Sequence, residues 1–302
     1  MMRREAEQGV ALVIVLWTVM LLTVIAGNFV FAMRTETAAT RNALSAAQAE
    51  AMADGAVHRA LYEMFRSAGE ADPWRADGRT RLWEKDGATI KVVMMDVSGK
   101  IDLNTSSDAL LKGLLLSVGV DDAKATQLLD AILDWRDVDT LPRAHGAESD
   151  AYRAAGLKYA PANAPFDAVE QLQQVLGMTP DIYSRIAPQL TVYSKQPGIN
   201  TLVALRGALM AVPDITPAQV DAYIEQRNQS LANGQTPLPF AAAAAFMSAP
   251  VNSVIGITAE ARMPDGATFV RDALVSRSGE TRRPFAFISW KEARPAPAVE
   301  AR

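Results

Sequence analysis

The sequence predicts an α+β protein: a long N-terminal helix that crosses a membrane, an antiparallel sheet, and a large all-α block inserted into that sheet. Three observations predict it. Residues 10–33 carry no charge, and the alanine-rich chain beyond them has no proline as far as residue 66. Two β-like runs, 80–84 and 88–96, flank Lys85, Asp86 and Gly87, and three more strand-like runs follow residue 252. Between these, 105–248 reads as a succession of short capped helices.

The helix comes first. At a rise of about 1.5 Å per residue, a bilayer core needs roughly 20 apolar residues, and 10–33 supplies them. A secretory signal has an apolar core of about 7 to 15 residues before its cleavage site. Here the run continues through Gly27, Asn28 and Phe29, so removal after it is not expected. Arg3 and Arg4 precede the run, Arg34 and Arg41 follow it, and Glu5, Glu7 and Glu36 are interspersed. The flanks therefore tie under the positive-inside rule. A helix over 10–66, transmembrane to about 33, would be about 85 Å long. Ala39, Ala43, Ala46, Ala47, Ala53, Ala56, Leu61 and Met64 give its second half small or apolar positions for packing. On these residues alone, a plain signal anchor with an alanine-rich stalk stays open.

Residues 67–79 form a turn-rich exit, and Asp86-Gly87 signals a hairpin between the first two strands. Ser107 or Asp108 can cap the next helix, and Asp121 or Asp122 the one after, where Leu128, Leu129, Ile132 and Leu133 follow helical spacing. Helical pieces follow at 166–178, 179–190, 201–212, 216–231 and 240–246. Two of them begin Thr-Pro, at Thr179-Pro180 and Thr216-Pro217, a cap residue followed by proline at the first helical position. An isolated hairpin is only marginally stable, so the early hairpin is expected to share one antiparallel sheet with the late strands. The expected division is 67–104 for the first part of the β domain, 105–248 for the insertion, 249–291 for the return strands and 292–302 for a disordered tail.

A formal charge of −4 and a pI near 5.4 argue against nucleic acid as the main partner. With no cysteine there is neither a disulfide framework nor a thiolate site. The densest acids are Asp134, Asp137, Asp139, Glu148 and Asp150, with Pro142 and Gly146 turning the chain between them. Carboxylates gathered together repel unless protonated or bridged by a cation, and hard oxygen ligands suit calcium. Counted from Asp137, the acids at positions 1, 3 and 12 match an EF-hand loop, but Pro142 stands where that loop needs glycine. Asp137, Asp139 and Glu148 are the better ligands, and Asp134 could complete the shell. A solvated loop of capping acids is the other open reading. His58 and His145 lack partners at metal or triad spacing, so no enzyme chemistry is expected. Residues 166–193 and 199–227 resemble helix-hairpin-helix modules, which in other proteins present amides to DNA phosphate. Here Thr179 replaces the usual second glycine, and Asp167, Glu170 and Asp181 outnumber Arg185 and Lys195, so packing or protein contact is the better use.

Four stretches in order, "EQGVALVIVLWTVMLLTVIA", "DVSGKIDLN", "ILDWRDVD" with "HGAESDAY", and "FDAVEQLQQVLGMTPDIYSRIAPQLTVYS", resemble the K-type minor pseudopilin family of bacterial type II secretion. The likeness covers nearly the whole chain and implies a pilin-like fold. It implies that prepilin peptidase removes residues 1–9 by cutting after Gly9 and that the new amino terminus, Val10, is methylated. Most pilin-like subunits carry Glu at the fifth mature position to pair with a neighbour's amino terminus. That position here is Ile14, a departure K-type subunits share, and an unpaired amine is costly in lipid, which suits a subunit to the tip.

The resemblance further implies a nonenzymatic subunit in a complex with I- and J-type minor pseudopilins. It would start or cap assembly on the inner-membrane assembly platform, for protein export across the outer membrane. It implies a single pass through the bacterial inner membrane with the C-terminal domain in the periplasm, no nucleic-acid partner, and calcium in the inserted domain. Asp134, Asp137, Asp139, Glu148 and Asp150 are the candidate ligands. Two departures stand out: Glu5 and Glu7 make the leader less basic than usual, and "GINTLVALRGALM" keeps the family's asparagine-rich turn only at Asn200 and Thr201. The alternative from another class is a membrane-anchored helix-hairpin-helix DNA-binding protein of a competence pathway.

Overall fold

The structure is a computed structural model that describes residues 4–66, 74–249, 254–280 and 283–293. The first helix, α1, runs unbroken over Arg4–Arg66. Side chains from 11 to 44 are all exposed, and the first buried ones are Ser45 and Ala49. Thr18 and Thr23 donate their hydroxyls to Ile14 O and Val19 O, at 2.6 and 2.8 Å. These polar groups in the apolar half thus carry their own partners, as a segment in lipid requires. By length and composition α1 fits a single-pass membrane anchor.

Strand β1 (Asp77–Lys85) and strand β2 (Ala88–Asp96) form the expected hairpin. Its corner residues, Asp86 and Gly87, have φ of 51° and 78°, the left-handed pair that a two-residue hairpin turn demands. β2 also pairs antiparallel with β5 (Val254–Arg262), which continues through β6 (Thr268–Glu280) to β7 (Arg283–Ala293). The order β1-β2-β5-β6-β7 unites the early hairpin with the late strands in one five-stranded sheet. α1 lies across one face of it. Ala53, Ala56, Val57, Ala60 and Leu61, spaced as a helical stripe, pack on Ile90 and Val92 of β2 and Ile255 and Ile257 of β5. Arg271 of β6, only 7% exposed, fastens the contact: its Nε donates to Asp54 Oδ1 at 2.6 Å and its Nη2 to Glu50 Oε1 at 2.8 Å.

The inserted block has its own core. Leucines 110, 111, 114 and 115 of α2 (Asp108–Ser117) meet Leu128, Leu129, Ile132 and Leu133 of α3 (Asp122–Arg136). Ser107 and Asp121, rather than Asp108 and Asp122, are the caps, accepting from Leu110 N and Lys124 N. Further on come α4 (Ser149–Ala154), α5 (Pro180–Ile186), α6 (Arg206–Leu209) and α7 (Pro217–Ala232). Thr179 and Thr216 cap α5 and α7 with proline following, and Thr216 completes a capping box with Gln219. At the base of the insert, β3 (Ile101–Asp102) pairs in parallel with β4 (Leu190–Thr191). The buried carboxylate of Asp102 secures that join by accepting from Asn104 N, Thr105 N, Ser194 Oγ and Lys195 N.

Several expectations need correction. Residues 201–212 yield only the four-residue α6, because Asn200 turns the chain with bonds from Val203 N and Ala204 N to its carbonyl. Two other expected helices are 3-10 segments, Val169–Gln174 and Ala241–Phe246. The second is held short by Ile199, whose N–H bonds Phe246 O at 2.9 Å and whose carbonyl accepts from Ser248 N at 3.0 Å. β7 continues to Ala293, past the expected end of the sheet. The tail beyond it, residues 67–73 of the exit turn and the first three residues of the leader lie outside the described residues.

Candidate metal centre

The acid loop begins where α3 ends. Asp137 is the C-cap of α3, the chain then runs without regular structure, and Glu148 stands at the N-cap of α4. Asp134, fully buried one turn before the helix end, folds the loop back over itself. Its Oδ2 accepts from Ala147 N at 2.8 Å, both its oxygens lie 3.2 Å from Arg143 N, and the Arg143 guanidinium is 3.6 Å away. Gly146 makes this possible: a Cβ there would stand 1.9 Å from Asp134 Oδ2. Beneath lies an aromatic floor in which Trp135 stacks on Phe166 at 5.9 Å, and Tyr152 accepts from Leu176 N through its hydroxyl. Burial pushes that phenol up to about 12.

Glu148 is the anomaly. Its side chain is 6% exposed, it makes no capping bond, and both carboxylate oxygens are buried without a hydrogen-bond partner. Asp137 Oδ1 is in the same state. Burial, followed by the charges of Asp134, Asp137 and Asp139, holds the Glu148 carboxyl above its ordinary range. Asp137 is raised by burial and by Asp139. In Asp134 burial also raises the carboxyl, against the lowering effect of the N–H groups of Arg143 and Ala147.

The fold thus brings Asp134, Asp137, Asp139 and Glu148 within reach of one another's charge. Asp139 is exposed and accepts from Leu141 N through Oδ1 at 2.9 Å. Asp150 lines the same groove as Glu148, but its carboxylate is 93% exposed and pairs with Arg153 at 2.8 Å. Among the described residues no three acidic or histidine side chains stand close enough to grip one ion together. The donor set nevertheless fits a hard cation: every candidate atom is a carboxylate oxygen, and both oxygens of Glu148 and Oδ1 of Asp137 are buried without a proton donor. His145 contributes only its backbone, whose N–H donates to Asp130 Oδ2 at 3.0 Å. Asp134 is the residue whose role the sequence disguised, since its oxygens are already taken by the loop. Gly146 looked like a turn residue and is a steric requirement.

The helix-hairpin-helix-like units are spent on the core, with Leu172, Val175, Ile182 and Ile186 buried in the first and Ala208, Leu209, Val220 and Tyr223 in the second. Gly9 and Val10 lie in the helical backbone near the start of α1.

Residues 94–195, which span the end of β2, the first helices of the insert and the entire acid loop, match the family model of type II secretion system protein K. The type II secretion system protein K of Pectobacterium carotovorum is 29% identical over 257 residues, covering 74% of this chain and 76% of the relative. That of Klebsiella pneumoniae is 28% identical and covers 81% of this chain and 80% of its own. That of Pseudomonas aeruginosa is 25% identical, at 75% and 74%. A chain in the crystal structure of the GspK–GspI–GspJ complex from the type 2 secretion system of enterotoxigenic Escherichia coli shares the fold. Its TM-score is 0.54 at 16% identity, over 87% of this chain and 99% of that one. Relatives aligned along most of their length and a family model centred on the acid loop agree with what the residues imply: over most of its length this chain is similar to type II secretion system protein K.

Proposed function

We propose that this chain sits at the tip of the type II secretion pseudopilus. There it starts or caps assembly with I- and J-type minor pseudopilins, in the service of protein export across the outer membrane. The observation that carries the reading is the N-terminal half of α1. It stands clear of the folded body from residue 11 to 44, is uncharged to residue 33, and presents Ile14 where a carboxylate would be needed to pair with an amine above it. A subunit built this way can be joined from below but has nothing to offer a neighbour above. The insert adds bulk at the other end, which a repeating filament could not bury. The complex of GspK with GspI and GspJ supports the choice of partners.

In this reading prepilin peptidase cuts after Gly9, Val10 becomes the amino terminus, residues to about 33 span the inner membrane, and the sheet and insert lie in the periplasm. The inner-membrane assembly platform receives the helix. The protein performs no catalysis. Calcium bound in the insert would neutralise the mutual repulsion of the acid loop. Asp137, Asp139 and Glu148 would hold it, Asp134 would keep the loop folded, and Asp150 would stand at the rim. A DNA-binding role finds no support, since the units that suggested it form the core of the insert.

The test is made on the full chain from membranes, with and without the peptidase, in cells that also carry tagged I- and J-type subunits. Intact mass and amino-terminal sequencing should give a chain beginning at methylated Val10 only when the peptidase is present, and both partners should co-purify. A chain with an uncut leader in both backgrounds, or one that retains neither partner, would remove the proposal.

A further inference from the structure

We propose that the cleft between the sheet and the insert binds a carboxylate carried on a short aliphatic stem, with the Lys100 ammonium as its counter-ion. Lys100 follows the 3-10 turn Val97–Gly99, where the chain leaves the sheet for the insert, and it lines a cleft of about 270 Å³. Among the described residues its amine has no hydrogen bond and no ion pair, and Asp272 acts on it only from beyond ion-pair distance. Burial outweighs that attraction and lowers the amine. An ammonium withdrawn from water without a partner is costly, and an anion in the cleft would remove the cost.

The other charges on the walls are already engaged. Lys291 and Glu170 pair at 3.1 Å, and Asp272 accepts from Thr258 Oγ1 at 3.1 Å. An anion set against Lys100 meets a second cation in Lys291, since an ammonium has three donors and this one spends a single donor on Glu170. Tyr193 and Ser289 line the same walls and bring hydroxyl donors. The negative charges of Asp272 and Glu170 would repel a dianion, which restricts the ligand to a single charge. Val97, Val169, Leu190 and Leu274 supply the apolar wall that a stem would lie on. The cleft falls below the roughly 300 Å³ at which pockets for drug-sized ligands begin, so a stem of about two or three carbons fills it. Two sources carry that chemistry: a free short-chain acid and the glutamate side chain of a partner subunit.

The test is reductive methylation of the full chain in detergent, read lysine by lysine by mass spectrometry at a series of pH values, because only the unprotonated amine reacts. Sodium propionate is compared with sodium chloride at equal ionic strength. A bound carboxylate should move the Lys100 labelling midpoint to higher pH and slow its labelling about tenfold at neutral pH, the effect of one pH unit. The exposed Lys91 should label equally in both salts. The same measurement in chloride on the chain co-purified with I- and J-type subunits separates the sources. A midpoint raised only there makes the carboxylate a partner's side chain, and one raised by propionate in the isolated chain shows that the cleft takes a free acid. A midpoint that neither propionate nor the partners raise would overturn the proposal. Slower labelling with an unmoved midpoint would assign the effect to shielding and overturn it as well.

Discussion

Glu148 has a consequence for how stability depends on pH. An acid whose folded pKa is raised keeps its proton in the folded chain after the unfolded chain has lost it. Below the ordinary glutamate value of 4.5 both states are protonated and nothing is lost. As pH climbs through that value toward the raised one, the unfolded chain ionises first and folding stability falls. Asp134 and Asp137 are raised too and act in the same sense. Glu170, Asp221 and Asp265 are lowered and act in the opposite sense, so the effect is read against a variant. In chelator, Glu148→Gln should gain melting temperature relative to wild type as pH leaves the acid range. Melting curves of both chains at a series of pH values check this; a gap that stays flat or closes over the same window would contradict it. The acids were legible from residue type and spacing. Their separate fates were not. Asp150 follows Glu148 closely in sequence, but Glu148 is an extended cap residue while Asp150 sits in the first turn of α4 with its carboxylate in solvent. Asp134 is occupied only because the loop folds over it, a matter of backbone geometry that spacing does not encode.

At the scale of elements, helix caps and the strand partnership could be read in advance because they depend on local chemistry. Thr-Pro, Ser107, Asp121 and Asp86-Gly87 each meet a backbone demand within a few residues of themselves. The short β3–β4 pairing and the 3-10 segments depend on partners far away in sequence, and no local pattern announces them. The same holds for Arg271, a buried fastener whose partners, Glu50 and Asp54, lie far away in sequence. Its guanidinium also lies 4.8 Å from the Phe269 ring centre and 5.1 Å from that of Trp290. Arg271→Ala should cost about 2 kcal/mol, below the usual price of breaking a fully buried pair because Glu50 and Asp54 are partly exposed and can rehydrate. Hydrogen exchange read by mass spectrometry should show faster exchange of α1 amides from 49 to 61. Arg271→Lys should recover only part of the protection, since an ammonium cannot reach both acids as a planar fork does. Unaltered exchange in Arg271→Ala would mean that the alanine stripe alone holds the helix.

For the whole molecule, the junction between sheet and insert is the feature with most leverage. Lys291 of β7 reaches Glu170 of the insert at 3.1 Å, and the cleft beside this pair holds Lys100, Tyr183, Thr191 and Asp272. Burial lowers the Lys100 amine, and Asp272 offsets the effect only in part. The folded chain thus bears a cost for that charge at neutral pH. The cost fades as pH rises through the lowered value toward the ordinary 10.5. Lys100→Met should stabilise the full chain by about 1 kcal/mol at pH 7, with the gap to wild type narrowing in alkaline buffer. Denaturant titrations at the two pH values check it, and a less stable variant at pH 7 would show that the junction needs the charge.

α1 has no interruption between the bilayer and the sheet, and its first anchor to the body is the bond from the Ser45 hydroxyl to Asp265 at 2.8 Å. Residues 34–44 therefore form a rigid mast of about 16 Å, and a mast transmits torque. Each residue added to or removed from it would raise or lower the body by about 1.5 Å and swing it by about 100° around the membrane normal. The compass bearing of the insert over the membrane is in this sense written as a residue count.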